Sequence, residues 1–267
     1  MKLKKLLGLT LVGVISASLF VGCSKASGEE EKTIKVGASP TPHAEILEAA
    51  KPLLEEKGYK LEIIEFDDYV LPNTSLAEGE LDANYFQHVP YLEKMNKEKD
   101  LSLTYTAKVH IEPMGVYSEK YDTLDDLKEG AKISVPNDAT NEARALQLLA
   151  KNGIIEVADK ELITAKDITK NPNNIEIVEV DAAQVPSTLK DVDFAVINTN
   201  YALNVNLNPT KDAIVIESSD SPYANILACR EDNKDSEKIK VLSEVLNSKK
   251  IKSFIEEKYE GSIVPAF

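Results

Sequence analysis

Tryptophan is absent from this chain of 267 residues, histidine occurs three times, and cysteine and arginine only twice each against 29 lysines. Two cysteines permit at most one disulfide, and the first, Cys23, lies at the end of an apolar leader. If Cys23 is used there, Cys229 has no partner and the fold rests on its core alone. Within "ANILACRED", Cys229 reads as a buried small hydrophobe. No G-x-S-x-G elbow, G-x-G-x-x-G turn, P-loop, H-E-x-x-H or C-x-x-C occurs, so the local signatures of hydrolase, dinucleotide, nucleotide, zinc-peptidase and dithiol chemistry are missing and no cofactor is implied. Excess positive charge is lacking too. The net charge is −14, and −17 without Lys2, Lys4 and Lys5, which argues against nucleic acid and against adsorption to anionic lipid.

What is present begins with the leader. "MKLKK" is basic, "LLGLTLVGVISASLF" is apolar, and "VGC" closes it with small residues, the layout of a secretory signal over residues 1–22. The apolar run of about 15 residues is shorter than the ~20 needed to span a bilayer. Ending on a cysteine, the leader resembles the lipobox of bacterial lipoproteins, with Phe20 where leucine is commoner. That implies lipidation of Cys23, and residues 23–32 read as a polar tether holding a folded body off the membrane.

From residue 33 the pattern is strand, helix, strand. "TIKVGAS" alternates, and "PTPHAEILEAAKPLLEEKGYK" puts Ile46, Leu47, Ala50, Leu53 and Leu54 on one helical face ending at Gly58. Ser39 or Thr41 can cap it, Pro42 fits its first turn, and Pro52 predicts a kink or restart. "KLEIIEFD" and "LDANYF" read as strands around a short helix in "PNTSLAEGEL". A second set starts near residue 116: a helix in "YDTLDDLKEG", a strand in "AKISVPN", a helix in "DATNEARALQLLAKNG" capped by Thr140, then strand, helix and strand again in "NIEIVEVD", "AAQVPSTLKD" and "DFAVINTN". Alternating elements in two sets predict two α/β lobes with mainly parallel sheets. Two long extended stretches, "LTYTAKVHIEPMGVYSEK" and "DAIVIESSDSPYANILACRED", read as crossings from lobe one to lobe two and back, a hinge.

The scarce residue types mark candidate sites. Aromatics are 6% of the chain, yet "ANYFQHVPYL" holds three rings and a histidine. Tyr69, Tyr85, Phe86, His88 and Tyr91 fall at strand ends or loops, where α/β proteins place ligands. Rings beside one polar nitrogen suit an apolar, polarizable group such as a thioether, although Phe86 and His88 also fit ordinary core and loop roles. Arg144, near the start of its helix, can hold an anion or make an internal salt bridge. Arg230, followed by "EDNKD", reads as surface. Asn198, Asn200 and Asn225 stand where strands run out and can pair with an amino or carboxylate group.

"DDYVLPN", "LDANYFQHVPYL", "EPMGVYS", "VPNDATNEARALQLL", "AVINTNYA" and "SPYANILACREDNKD", in this order, closely resemble the methionine-binding lipoproteins of ABC importers, the MetQ or NlpA group, from about residue 33 to the closing "GSIVPAF". The resemblance implies a two-lobed type II periplasmic binding protein fold of the α/β class with two hinge crossings. Residues 33–112 with 226–267 would form lobe one and 113–225 lobe two. It also implies an extracytoplasmic binder, not an enzyme, tethered to the cell membrane by lipid on Cys23. Its partners would be L-methionine, D-methionine or a methionyl dipeptide, and an importer's permease and ATPase. By likeness to the family's pocket, Tyr69, Phe86 and His88 would surround the methionine side chain. Arg144 would take the carboxylate with Asn141 close by, and Asn225 with Asn200 or Asn198 would bind the amino acid head.

Rival readings follow from the same residues. His43, His88 and His110 with a carboxylate can make a metal carrier, though none are paired at short ligand spacing. A surface enzyme acting on a small amino acid derivative needs a nucleophile and base pair that the sequence does not nominate. An interaction protein whose cleft has lost its ligand has less reason to keep Arg144 and the aromatic group.

Overall fold

The computed structural model describes residues 32–218 and 220–267. The leader, Cys23 and the tether up to residue 31 lie outside the described residues. Along the chain run β1 (Thr33–Ala38), α1 (Glu45–Glu56), β2 (Lys60–Glu65), α2 (Leu71–Ala77), β3 (Ala83–His88), α3 (Val89–Lys99), β4 (Leu103–Ile111), β5 (Gly115–Tyr117) and β6 (Lys132–Pro136). Then come α4 (Ala139–Lys151), β7 (Glu156–Val157), β8 (Ile168–Lys170), β9 (Glu176–Val180), β10 (Phe194–Ile197), α5 (Thr199–Asn204) and α6 (Pro209–Asp212). Last are β11 (Val215–Ile216), β12 (Ala224–Arg230), α7 (Glu237–Leu246), α8 (Lys249–Tyr259) and β13 (Val264–Pro265).

Two sheets carry the fold, in the orders β13-β4-β12-β3-β1-β2 and β11-β5-β10-β6-β9. Both are mixed, which corrects the expectation of mainly parallel sheets. The returning strand β12 runs antiparallel to β3 and β4, and β5 runs antiparallel to β10 and β11. A chain that leaves one sheet and comes back must insert strands against the local direction, so the crossings themselves create the antiparallel pairs. The first crossing leaves β4 at Ile111 and enters β5 at Gly115, and the second leaves β11 at Ile216 and enters β12 at Ala224.

Each sheet has its own core. Ile34 and Val36 of β1 pack with Ile46, Leu47, Ala50 and Leu54 of α1 and with Leu242 and Ile255 of the last two helices. Ile133 and Val135 of β6 pack with Leu146 and Leu149 of α4 and Phe194 of β10. Each such aliphatic side chain taken from water contributes roughly 1.5–3 kcal/mol. The face expected of α1 is the one buried, with Leu53 at its margin, and α1 continues through Pro52. Its start differs from expectation: Pro40–Ala44 form a separate irregular turn with Thr41 extended, so Pro42 precedes the regular helix. Two predicted helices shrink to single 3₁₀ turns, Leu124–Asp126 and Val185–Thr188. Cys229 is buried in the first core, and its thiol is pushed up to about 11 by burial.

Candidate functional site

The sheets are oriented so that strand ends meet. Among the parallel strands of the first sheet, β3 ends at His88, and β4, running the same way, ends beside Glu112. Register places Asn225 of β12 opposite both His88 and His110, so three strands deliver a row of polar side chains to one edge. In the second sheet β6 leads to Asp138, β10 to Asn198 and β11 to Glu217. Carboxyl ends of strands are where open α/β sheets bind ligands. Here both sheets contribute residues to the lining of one cavity.

One wall is aromatic. Tyr69, Phe86 and Tyr91 pack pairwise, tilted or edge to face, with ring centroids 5.8–6.1 Å apart, and Tyr69 also lies 4.9 Å from Tyr201 of the opposite side. The Tyr91 hydroxyl donates to the Tyr69 carbonyl at 2.9 Å, which fixes the pair. Tyr85 does not line this cavity. It is fully buried behind it, with its hydroxyl on His110 Nδ1.

The polar wall can be assigned atom by atom. Asp138 caps α4, a role expected of Thr140, by accepting from Asn141 N–H at 3.0 Å, and its carboxylate also takes the Asn141 side-chain amide at 2.9 and 3.0 Å. A carboxylate only accepts, so Asn141 must turn its Oδ1 the other way. His88 agrees: its Nδ1 accepts from Tyr91 N–H, so Nε2 carries the proton and donates to Asn141 Oδ1 at 3.2 Å. Asn198 Nδ2 donates to the same oxygen at 2.9 Å, which leaves Asn198 Oδ1 buried with no partner among the described residues. Asn200 is the complement. Its Oδ1 accepts from the Tyr69 hydroxyl at 2.6 Å, and its Nδ2 is buried and unpaired. The cavity therefore meets one free acceptor and one free donor, the pair that the two ends of an amino acid require.

Arg144 sits in the second turn of α4, so its guanidinium is not at the helix start. Its Nη2 donates to the Glu112 carbonyl at 2.7 Å, Nε and Nη2 hold the Glu217 carboxylate at 2.5–3.1 Å, and the Tyr223 ring lies 4.3 Å beneath it. Glu112 belongs to the first crossing and Glu217 and Tyr223 to the second, so Arg144 is gripped by both. Its Nη1 has no hydrogen bond among the described residues, and Arg144 borders the cavity.

Tyr69, Phe86, His88, Asn141, Arg144, Asn198, Asn200 and Asn225 all border this one cavity. Asn141 spends every polar atom on protein partners, so its observed part is to orient Asn198 and His88. His88 is held down to about 3, first by burial and then by Arg144, and is neutral. Glu112, Asp138 and Glu217 were not among the residues singled out from sequence. Their signal was a lone acidic residue just past an apolar strand. Arg230, expected at the surface, instead donates from Nη1 to the carbonyls of Leu76 and Leu81 at 3.0 and 2.6 Å, which corrects that reading. The Leu76 carbonyl, at the end of α2, also accepts from Gly79 N–H at 3.1 Å.

The three histidines of the metal reading separate. His43 and His110 come together with Glu112, their ligand atoms within 4.8 Å of one another, whereas His88 lies outside the group. In this state Nε2 of each histidine is engaged by Glu112 Oε1, at 3.1 and 2.7 Å.

The model of the NlpA lipoprotein family matches residues 34–267. The methionine-binding lipoprotein MetQ of Bacillus subtilis (strain 168) is 46% identical over 261 residues, covering 94% of this chain and 95% of that one. The D-methionine-binding lipoprotein MetQ of Escherichia coli (strain K12) is 39% identical, with 95% of each chain covered. Among solved structures, a nutrient binding protein from Burkholderia cenocepacia bound to methionine superposes with a TM-score of 0.86 at 45% identity, covering 88% of this chain and all of that one. A lipoprotein from Ruminococcus gnavus gives 0.86 at 51% identity, with the same coverage.

Proposed function

The chain belongs to the NlpA lipoprotein family, and we propose from that premise that it captures methionine between its two sheets and delivers it to an ABC importer. The observation that carries the reading is the division of the cavity. An aromatic wall of Tyr69, Phe86 and Tyr91 faces a polar one offering Asn198 Oδ1, Asn200 Nδ2 and Arg144, a match for a thioether side chain and a zwitterionic head. Burying the side chain is worth roughly 1.5–3 kcal/mol, which alone corresponds to binding weaker than millimolar. Hydrogen bonds to charged ends, about 1.5–3 kcal/mol each, supply the rest.

In this reading Tyr69, Phe86 and His88 surround the side chain, Arg144 and Asn200 take the carboxylate, and Asn198 and Asn225 take the amino group. Residues 33–112 with 226–267 act as one lobe and 113–225 as the other, and Ala224 and Asn225 open the returning strand. The bonds that join the sheets, Tyr69 to Asn200 and the Tyr201 hydroxyl to the Asp67 carbonyl, support a closed form. Ligand that fills the cavity favours this closed form, and the importer's permease and ATPase read lobe position as loading. The site binds and releases without transforming its ligand. Lipid on Cys23 holds the body on the extracytoplasmic face of the cell membrane. Among the described residues no helix is long and apolar enough to cross a membrane.

The test is calorimetry with L-methionine on the soluble body, unfolded and refolded to remove carried-over ligand. One-to-one binding at micromolar or tighter Kd is expected. Absence of binding to L-methionine, D-methionine and methionyl dipeptides alike would overturn the reading.

A further inference from the structure

Glu112 stands in the first crossing, 6% exposed, and borders the cavity. Its Oε1 accepts from His110 Nε2 at 2.7 Å and its Oε2 from Asn200 N–H at 3.0 Å, while His43 Nε2 lies 3.1 Å from Oε1. His43 Nε2 also faces Asn225 Oδ1 at 3.1 Å, a second acceptor, which places the proton on that nitrogen. Two donated N–H bonds and a third N–H close by are the surroundings of an anion. None of the three carries charge, because burial depresses His43 to about 4 and His110 to about 3. Arg144 gives Nη2 to the Glu112 carbonyl and its other bonds to Glu217, so it makes no bond to the Glu112 carboxylate. Glu112 thus has hydrogen bonds but no bonded cation, and burial pushes its carboxyl above the usual carboxylate range.

A carboxylate offers about four acceptor positions, and two are filled by hydrogen bonds. Glu112 borders the cavity with acceptor capacity left, as does Asn198, whose Oδ1 is unpaired among the described residues. Resting on methionine as ligand, we propose that Glu112 is the counter-ion of the ligand's α-ammonium and makes a free, protonated amine the condition for binding. An isolated buried charge is costly until an opposite charge meets it, and a ligand lacking that charge leaves the cost in place. N-acylated methionine, a dipeptide with methionine in second position, and an analogue with hydroxyl in place of the amine are rejected. A dipeptide with methionine first satisfies this end of the site.

The isosteric hydroxy analogue, 2-hydroxy-4-(methylthio)butanoate, isolates the charge. Calorimetry on ligand-stripped protein should show methionine binding on the order of 100-fold more tightly than this analogue, as loss of a bond to a charged group implies. In Glu112→Gln the preference should fall to about fivefold or less, mainly through weaker methionine binding. N-acetylmethionine should not compete in the wild type. A wild-type protein that binds the hydroxy analogue within threefold of methionine overturns the role of Glu112, whether or not the variant folds. So does a folded variant that keeps the full preference. Failure of wild type to bind methionine in any form sinks the underlying reading as well.

Discussion

His88 supplies a measurement of how dry the site is. In the unfolded chain a histidine takes up a proton near pH 6.5, whereas burial, with Arg144 next, holds His88 down to about 3 in the fold. The groups against it are Tyr91 N–H, Asn141, the Tyr223 ring and Arg144, and none is an anion that would favour the imidazolium. Between these two values the unfolded chain binds a proton that the native protein does not. Stability from this residue is complete above about pH 6.5 and is lost as pH falls toward 3. From pH 8 to pH 5 the loss is about 2 kcal/mol for one such residue. His43 and His110 act in the same sense, and Glu112 and Glu142, both raised by burial, oppose them. Replacement isolates one term from this sum. His88→Gln retains an amide donor for Asn141 without a titrating group, so in urea unfolding of ligand-free protein its loss from pH 8 to pH 5 should be about 2 kcal/mol smaller than that of wild type. A difference below about 0.5 kcal/mol would show that His88 titrates normally and would refute the buried, neutral assignment.

Arg144→Met should abolish methionine binding and cost about 3–5 kcal/mol by stranding Glu217, and adding Glu217→Gln should restore most of the stability but not the binding. Recovery of binding in the double variant, read by calorimetry beside thermal melts, would remove Arg144 from the ligand. Arg230→Ala should cost about 1–3 kcal/mol by removing the side-chain donor of the Leu81 carbonyl. Chemical denaturation indistinguishable from wild type would return that residue to the surface.

The parts of the fold readable in sequence were those with strong periodicity or a single chemical meaning. Ile46, Leu47, Ala50 and Leu54 declared α1 by spacing, and the extended crossings were visible because they were too long for one strand. Strand direction was not legible: nothing in "NILACR" says that β12 lies between β3 and β4 and opposes both. Thr140 was preferred as a cap on residue type, but Asp138 is the residue with extended backbone at the helix start, and that depends on where β6 stops. At the site, rings and asparagines stood out because they were clustered or lay at strand ends. Glu112 and Glu217 were hidden among 45 acidic residues, most of them solvating the surface. Their importance comes from burial, which sequence composition does not carry.

The position of β12 also bears on how the protein is made. β3 and β4 are close in sequence, separated by α3, yet they are not neighbours in the sheet, because β12 occupies the place between them. That strand is synthesised more than a hundred residues later, after the whole of the second sheet. Until it arrives, β3 and β4 have no partner on their facing sides, and Asn225, His88 and His110 cannot form their row. Pairings this distant along the chain are slow to form. The sheet begun first is therefore completed last, and a nascent or partly exported chain remains without a finished binding cavity until its final quarter has been made.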